Sequence, residues 1–154
     1  MSGLTLLAVA AALVAVGCGD DDANGAPAVQ SVTAATKGAL VKVVDSQFGR
    51  VLADKRGEAF YLFDKEKGKK SRCYGDCAEA WPPVVTKGKP RAGKGADRSL
   101  LGTTRRRNGK LQVTYAGHPL YYYEHDEPGT ILCHNVDEFG GLWLVVDRNG
   151  DAVG

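Results

Sequence analysis

Two cysteines, Cys73 and Cys77, lie four positions apart in the stretch RCYGDCAEAWPP, residues 72–83. Paired thiols at this spacing can close a disulfide, bind a metal ion or carry out redox chemistry. Redox catalysis is the weakest interpretation, because redox pairs usually have two intervening residues and lie in a thioredoxin-like βαβ setting. The sequence around these cysteines has neither feature, which leaves a structural disulfide or a metal site as the interpretations.

A third thiol, Cys133, is followed directly by His134, and His118 and His125 lie nearby in the chain. Thiolate and imidazole groups suit Cu(I) or Zn(II), so Cys133 with an earlier cysteine and a histidine is a candidate metal site. The histidines match no recognised ligand pattern, which favours a structural or adventitious thiol. We therefore predict no metal or other cofactor and keep the metal site as the alternative.

Two tyrosine–carboxylate pairs are the remaining candidates, Tyr61 with Glu66 and Tyr121 with Asp126. A tyrosine on a strand can donate a hydrogen bond to a carboxylate beyond the following turn, which stabilises a fold by about 0.5–1.5 kcal/mol. The functional interpretations are a catalytic acid/base pair or a cation site. Repetition favours a structural latch, because active sites are rarely duplicated within one small domain, so we predict no catalytic residues and no enzymatic activity.

These pairs belong to an internal repeat. GRVLADKRGEAFYLFDKE at 49–66 aligns without a gap to GKLQVTYAGHPLYYYEHD at 109–126, an offset of 60 that also pairs Cys73 with Cys133. Each copy has a glycine-containing turn followed by an aromatic segment, and Asn108-Gly109 is itself a hairpin signal. Each copy is therefore predicted to form a β-hairpin whose aromatic strand is covered on both faces.

The elements expected from alternation and turn signals are mostly strands. They are strands at 41–45, 50–53, 59–63, 110–115, 119–123 and 142–147, and a short helix at 75–81. The predicted fold class is mostly β: a single small domain of two repeated β-hairpin units with one short helix, after a signal peptide and a flexible linker.

The N-terminus predicts export. The apolar run from Leu4 to Val16 is too short to span a bilayer, which takes about 20 residues, and it ends in AVGC before Cys18 like a bacterial lipobox. Ala15 stands where leucine is more usual, and the alternative is a short buried helix of a cytoplasmic domain. Acyl chains such as palmitate on Cys18 would anchor the protein, since each buried methylene contributes about 0.8 kcal/mol.

Three segments follow from this interpretation, and the linker is rich in Asp, Ala and Gly. We predict a lipoprotein signal peptide at 1–17, a lipidated flexible linker at 18–40, and a β domain at 41–154 with copies near 49–85 and 109–147. The expected location is the cell membrane or outer membrane, with the lipid-anchored domain in an extracytoplasmic, oxidising compartment.

Charge is unevenly distributed along the domain. From Lys65 to Lys110 there are fourteen Lys or Arg residues against four acids, and from Tyr115 onward seven acids against Arg148 alone. The basic residues are either solvated loop residues or face an anionic partner, such as an envelope polymer or lipid headgroups. No nucleic acid partner is expected outside the cell membrane, and no protein partner is indicated.

The runs FYLFDKE, CYGDCAEAWPP, LLGTTRRRNGKLQVTYAGHPLYYYEHD and EFGGLWLVVDRNG span most of residues 41–150. They resemble a family of bacterial lipoproteins described as secreted repeats of unknown function and marked by a Tyr-x4-Asp motif. The second copy keeps the motif as Tyr121 and Asp126, and the first has Glu66 in place of Asp. The resemblance favours a Cys73–Cys77 disulfide over the other candidate, a Cys73–Cys133 bridge, and either pairing leaves one thiol over.

The sequence thus predicts a non-enzymatic lipoprotein of the cell envelope that acts as a binding or structural module. The alternative is an extracytoplasmic copper- or zinc-binding lipoprotein that uses Cys133 with Cys73 or Cys77 and a histidine. An enzyme built on the tyrosine–carboxylate pairs is the least favoured.

Overall fold

The computed structural model describes residues 38–154. The predicted signal peptide at 1–17, the lipidation site Cys18 and the linker up to residue 37 lie outside the described residues. Within residues 38–154, no helix has the length and hydropathy needed to cross a membrane.

The described chain is mostly β with one short α-helix, which confirms the predicted fold class. The strands are β1 (Leu40–Ser46), β2 (Gly49–Ala53), β3 (Tyr61–Phe63), β4 (Val85–Thr86), β5 (Arg91–Ala92), β6 (Leu101–Arg105), β7 (Leu111–Tyr115), β8 (His118–Pro119), β9 (Val136–Glu138) and β10 (Gly141–Val145). The helix α1 (Asp76–Ala80) follows β3, and a 3-10 turn at Arg98–Leu100 precedes β6.

Three small sheets carry these strands, with orders β2-β1-β5, β3-β10-β9 and β4-β7-β6, the last with β8 beside β7. The antiparallel pairs β1–β2 and β6–β7 occupy equivalent places, so β1 and β6 extend the two repeat copies at their N-terminal ends. In each copy the second strand of this pair then turns back onto the aromatic segment, as the turn signals predict.

The turns of the first hairpins differ in length between the copies. Two residues separate Ser46 from its strand partner Gly49. In the second copy, the Arg106 N–H donates to the Lys110 carbonyl at 2.9 Å, and three residues form the turn. The second copy therefore gains one residue at this point.

The next turn removes the difference. Ala53 bridges Ala59 across five residues in the first copy, whereas Thr114 pairs with Pro119 across four in the second. The two length changes compensate each other, so the sequences align without a gap although the strand between the two turns is displaced.

The predicted equivalence of Gly49 with Gly109 is therefore wrong. Gly109 lies in the longer turn, and Lys110 occupies the place of Gly49. In the displaced strand, Val51 of β2 corresponds to Gln112 of β7, which is an offset of 61. The residues of β1 and β6 that pair with these two are still 60 positions apart. Beyond the second turn the offset of 60 holds.

The two copies exchange their terminal segments. Val84, just after the helix of the first copy, donates to the Leu120 carbonyl at 2.9 Å and accepts from the Val113 N–H at 2.8 Å, inside the second hairpin. Reciprocally, Val146 near the end of the second copy donates to the Phe60 carbonyl at 3.2 Å in the first hairpin. Each hairpin is therefore completed by chain from the other copy.

The aromatic strands separate two apolar clusters. Tyr61 and Phe63 pack into one cluster, and Phe60 and Leu62 pack into the other. All four side chains are buried, which agrees with the prediction that both faces of the strand are covered in the first copy. In the second copy the predicted strand at 119–123 is wrong in extent: β8 ends at Pro119, and Tyr122 and Tyr123 are half-buried.

Candidate functional site

Two tryptophan rings stack at the centre of the first cluster. The centroids of Trp81 and Trp143 are 4.2 Å apart with nearly parallel planes. Phe63 stacks on the outer face of Trp143 at 4.2 Å, and Tyr123 lies against Trp81 at 4.8 Å. Because one tryptophan comes from each copy, this stack joins the copies across an approximate two-fold axis.

Tyr61 and Tyr121 flank the stack and pair with each other. Each donates its backbone N–H to the carbonyl of the other at 2.9 Å. The ring of Tyr61 contacts Trp81 edge-on at 5.1 Å, and that of Tyr121 contacts Trp143 edge-on at 5.2 Å. The two motif tyrosines thus occupy matching positions, as the repeat predicts.

The hydroxyl groups of these tyrosines do not bind the carboxylates of their own copy. Tyr61 Oη donates to Asp126 Oδ2 at 2.5 Å, and Tyr121 Oη donates to Glu66 Oε1 at 2.7 Å. The predicted pairs Tyr61/Glu66 and Tyr121/Asp126 are therefore wrong in partner. Because the two tyrosines are backbone partners, the loop that follows each strand passes the hydroxyl of the opposite tyrosine, and the latches cross between the copies.

Each latch carboxylate also accepts a backbone hydrogen bond from its own loop. The Arg72 N–H donates to Glu66 Oε1 at 2.6 Å, and the Leu132 N–H donates to Asp126 Oδ1 at 2.9 Å. The carboxylates are buried, so a crossed latch ties a loop of one copy to a strand of the other.

Burial sets the protonation of the latches. It raises the pKa of Tyr61 and of Tyr121 far above the ordinary value of 10.0, so both phenols keep their protons and act as donors. Burial likewise raises the pKa of the Glu66 and Asp126 carboxyls, against the lowering effect of their hydrogen bonds. Glu66 Oε2 has no hydrogen-bond partner in the described part of the chain, so the hydrogen bonds to this carboxyl reach Oε1.

A polar network missed by the sequence interpretation surrounds the Glu66 latch. Arg106 is only 5% exposed, and its Nη1 donates to Ser71 Oγ and to Gln112 Oε1, each at 2.7 Å. Its Nη2 donates to the Cys73 carbonyl at 2.6 Å. Ser71 Oγ lies 2.7 Å from the Tyr121 hydroxyl, so the network is continuous from Arg106 to the latch.

The cysteines take different roles in the structure. Cys73 and Cys77 form a disulfide with a Cα–Cα distance of 5.2 Å, and Gly75 between them has a φ of 58° that permits the tight turn before α1. Cys133 is the free cysteine of the described residues and is half-buried beside Tyr123, whose pKa its hydrogen bond helps to raise to about 12.

Because Cys73 and Cys77 are joined in a disulfide, neither can serve with Cys133 as a thiolate ligand of the alternative metal site. Among residues 38–154, no group of three or more His, Cys, Asp or Glu side chains is close enough to hold a metal ion. His134 accepts a hydrogen bond from the Val145 N–H at 3.3 Å and packs on Phe48, and His125 lies exposed beside Glu124. The described residues therefore give the metal alternative no support.

A family model described as a secreted repeat of unknown function matches residues 42–85 and residues 102–147. These two segments cover more than half of the chain. The chain belongs to this secreted-repeat family. No curated protein and no solved structure matches the chain.

The first secreted repeat runs from β1 to the segment that enters the second hairpin, and the second runs from β6 to the segment that enters the first. The family places the domain outside the cytoplasm, as the sequence predicts.

The two secreted repeats differ in the surroundings of their latches. Ser71 lies five positions after Glu66, and the corresponding residue after Asp126 is the buried Ile131. Gln112 corresponds to Val51 through the displaced strand. The polar network is therefore a property of one latch and not of the secreted repeat in general.

The variant Glu66→Gln tests the buried carboxyl through pH dependence. Because burial raises its pKa in the folded state above 4.5, the stability that its protonation contributes is fully present below pH 4.5 and is lost as the pH rises through the folded-state pKa. We therefore expect the free energy of unfolding of the wild type to fall, relative to that of Glu66→Gln, as the pH rises from 4.5.

Urea denaturation at a series of pH values measures this difference. The exposed carboxyl Glu127 supplies the matched control, and Glu127→Gln should follow the wild type at each pH. A wild type whose free energy of unfolding stays constant or rises relative to that of Glu66→Gln, as the pH rises from 4.5, would contradict the raised pKa of Glu66.

Proposed function

We propose that this secreted-repeat protein is a non-enzymatic binding module, anchored to the envelope by lipid on Cys18, whose ligand is a phosphate-bearing anionic polymer. The carrying observation is a basic surface around the sheet of β4, β6 and β7. Three neighbouring grooves on this surface are lined by basic side chains. They are Lys89 and Arg98 in the first, Lys87, Arg105 and Lys110 in the second, and Lys70, Arg105, Arg106 and Arg107 in the third.

The basic side chains of this surface form no salt bridges among the described residues. The ion pairs among the described residues join Arg56 to Asp54 and Glu58, and His125 to Glu124. None of the groove residues takes part in a salt bridge within that part of the chain. Concentrated unpaired positive charge along grooves attracts and orients a polyanion.

The shape of the surface favours a polymer over lipid headgroups. Surfaces that insert into a bilayer expose large apolar side chains beside their basic ones. The described residues have three strongly exposed large apolar side chains, and of these only Val85 lines a basic groove. An extended polyanion can follow the grooves without apolar insertion.

The absence of catalysis is part of the proposal, and the latches support it. Both tyrosine–carboxylate pairs are buried between the copies, and each hydroxyl is held by its carboxylate. Anchoring is supported by the apolar run and the AVGC sequence before Cys18.

Binding of soluble polyphosphate by the full lipidated chain in maltoside micelles tests the proposal. We expect saturable binding that weakens steeply as salt screens the charges. The triple variant Lys87→Gln, Lys110→Gln and Arg98→Gln should lose most of the affinity. The variant Cys18→Ala should move the protein from the detergent phase to the aqueous phase on phase partitioning.

A triple control variant carries the same charge change outside the grooves, at Lys42, Lys55 and Lys94. An equal loss of polyphosphate binding in both triple variants would contradict a specific surface. Binding to phosphatidylglycerol vesicles without binding to polyphosphate would assign the surface to lipid headgroups.

A further inference from the structure

We propose that the groove beside Tyr74 is a phosphate-binding site in which Arg106 and Arg107 hold one phosphate group. The inference rests on the proposed function and deepens it, because it names one site within the basic surface. The groove has a volume of about 560 Å³ and opens to solvent. It is lined by Lys70, Ser71, Tyr74, Thr104, Arg105, Arg106 and Arg107.

Arg106 carries a buried charge whose three hydrogen-bond partners are neutral, and the Glu66 carboxyl acts on it only at longer range, beyond Ser71 and Tyr121. Its hydrogen bonds go to a serine hydroxyl, a glutamine amide oxygen and a backbone carbonyl. No carboxylate of residues 38–154 lies within 4.0 Å to pair with it. A desolvated guanidinium is costly unless a counter-charge approaches, so the site favours an anion.

Arg106 also keeps donors free for that anion. Its three hydrogen bonds leave the Nε–H and one Nη2–H without a partner in the described chain. Its position is fixed by the bonds that it does make, so little side-chain entropy is lost when a ligand binds.

Tyr74 contacts the guanidinium groups of both Arg106 and Arg107. The Arg106 guanidinium carbon lies 4.4 Å from the centroid of the Tyr74 ring, and that of Arg107 lies 4.3 Å from it. Cation–π attraction to one ring keeps these two positive charges in the same groove. An anion in the groove is attracted by both arginines.

The comparison of the two secreted repeats shows that the fold does not need this network. At the other latch, Ser71 is replaced by Ile131 and Gln112 by Val51. The place of Arg106 is taken by Ser46, which holds the corresponding end of the first hairpin. The same architecture is therefore built without a buried arginine, which points to a role for Arg106 in binding.

The chemistry of the donors favours phosphate over carboxylate. Guanidinium groups match phosphate oxygens in paired hydrogen bonds, and Lys70 adds an ammonium donor in the same groove. A tetrahedral phosphate presents oxygens in several directions at once, whereas a carboxylate presents two in one plane. A phosphate monoester and the phosphodiester of a polymer or headgroup share this chemistry.

Calorimetric titration of the full chain in maltoside micelles, at constant ionic strength, tests the site with two probes. Inorganic phosphate represents the free anion, and glycerophosphoglycerol represents the phosphodiester. We expect saturable binding of one equivalent of at least one probe, and the preferred probe identifies the source. The variants Arg107→Gln and Lys70→Gln should each weaken binding on the order of tenfold, the effect of one charge-assisted hydrogen bond.

Lys94→Gln, with the same charge change on an exposed residue outside the groove, should bind as the wild type does. Both informative variants alter exposed side chains, so they test binding without removing the buried Arg106. Affinity unchanged in Arg107→Gln and Lys70→Gln overturns the site. Polyphosphate binding without saturable binding of either small probe overturns the site and leaves the proposed function standing. Binding of a small probe without binding of polyphosphate overturns the proposed function and leaves the site standing.

Discussion

Replacing Trp81 with alanine is expected to lower the free energy of unfolding by about 3–5 kcal/mol, the usual cost of truncating a fully buried large aromatic side chain. The Trp81 ring is fully buried, stacks on Trp143 and receives the edge of Tyr61. Its removal opens a cavity where the two repeats meet, and the surrounding strands of both copies are too constrained to fill it. Urea denaturation of the full chain, followed by circular dichroism, measures the loss.

Two further variants serve as comparisons for Trp81→Ala. Trp81→Phe should cost less, since an aromatic ring remains although the hydrogen bond from Trp81 Nε1 to Glu138 is lost. Trp143→Ala should cost about as much as Trp81→Ala, because the two rings occupy equivalent positions. A loss below about 1 kcal/mol for either alanine variant would contradict a shared core, as surface substitutions usually stay within that range.

The crossed latches predict the second large effect. Asp126→Ala should destabilise the domain by about 2–3 kcal/mol, because it leaves the buried Tyr61 hydroxyl without its acceptor and the Leu132 N–H without its side-chain partner. Tyr61→Phe should cost less, since it removes only the donor. Equilibrium denaturation of the single and double variants gives the coupling energy of the pair.

Comparing two double variants tests whether each latch joins the two copies or closes within one copy. Tyr61→Phe and Asp126→Ala should be strongly coupled, whereas Tyr61→Phe and Glu66→Ala should be nearly additive. Coupling of Tyr61 to Glu66 in place of Asp126 would show that the latches close within each repeat, against the hydrogen bonds of the structure.

The alternation of apolar side chains and the turn residues made much of this fold predictable. Alternation placed Tyr61 and Phe63 on one face and Phe60 and Leu62 on the other, and both faces are buried. Turn signals located the hairpins, and the match of Tyr61 to Tyr121 located the two-fold relation between the copies. The helix also lies within the predicted residues 75–81.

Relations between the copies were not predictable in the same way. The first turn is one residue longer in the second copy and the next turn is one residue shorter, so the two sequences align without a gap. The alignment therefore does not reveal that β7 is displaced by one residue relative to β2. A carboxylate five positions after a tyrosine suggests a local bond, and only the pairing of the two tyrosines sends each hydroxyl to the other repeat.

The candidate binding site was predictable only in part. The excess of basic residues before Lys110 indicated an anionic partner. The run Arg105–Arg107 does not show which arginine is buried, because that depends on the longer turn of the second hairpin. The disulfide was favoured by family resemblance, since the equivalence of Cys73 and Cys133 in the repeat pointed to the other pairing.

The exchange of terminal segments has a consequence for how such a chain could have arisen. A polypeptide with a single repeat would carry one hairpin and one terminal segment. In this structure the terminal segment of each repeat forms hydrogen bonds with the hairpin of the other repeat, so a single repeat would need the hairpin of a second molecule. Such an ancestor would reach this architecture as a symmetric homodimer, with one tryptophan stacked on its own copy across the dimer axis. Duplication and fusion of the gene would then turn an intermolecular interface into the core of a single chain, and would free one of two formerly identical latches to diverge.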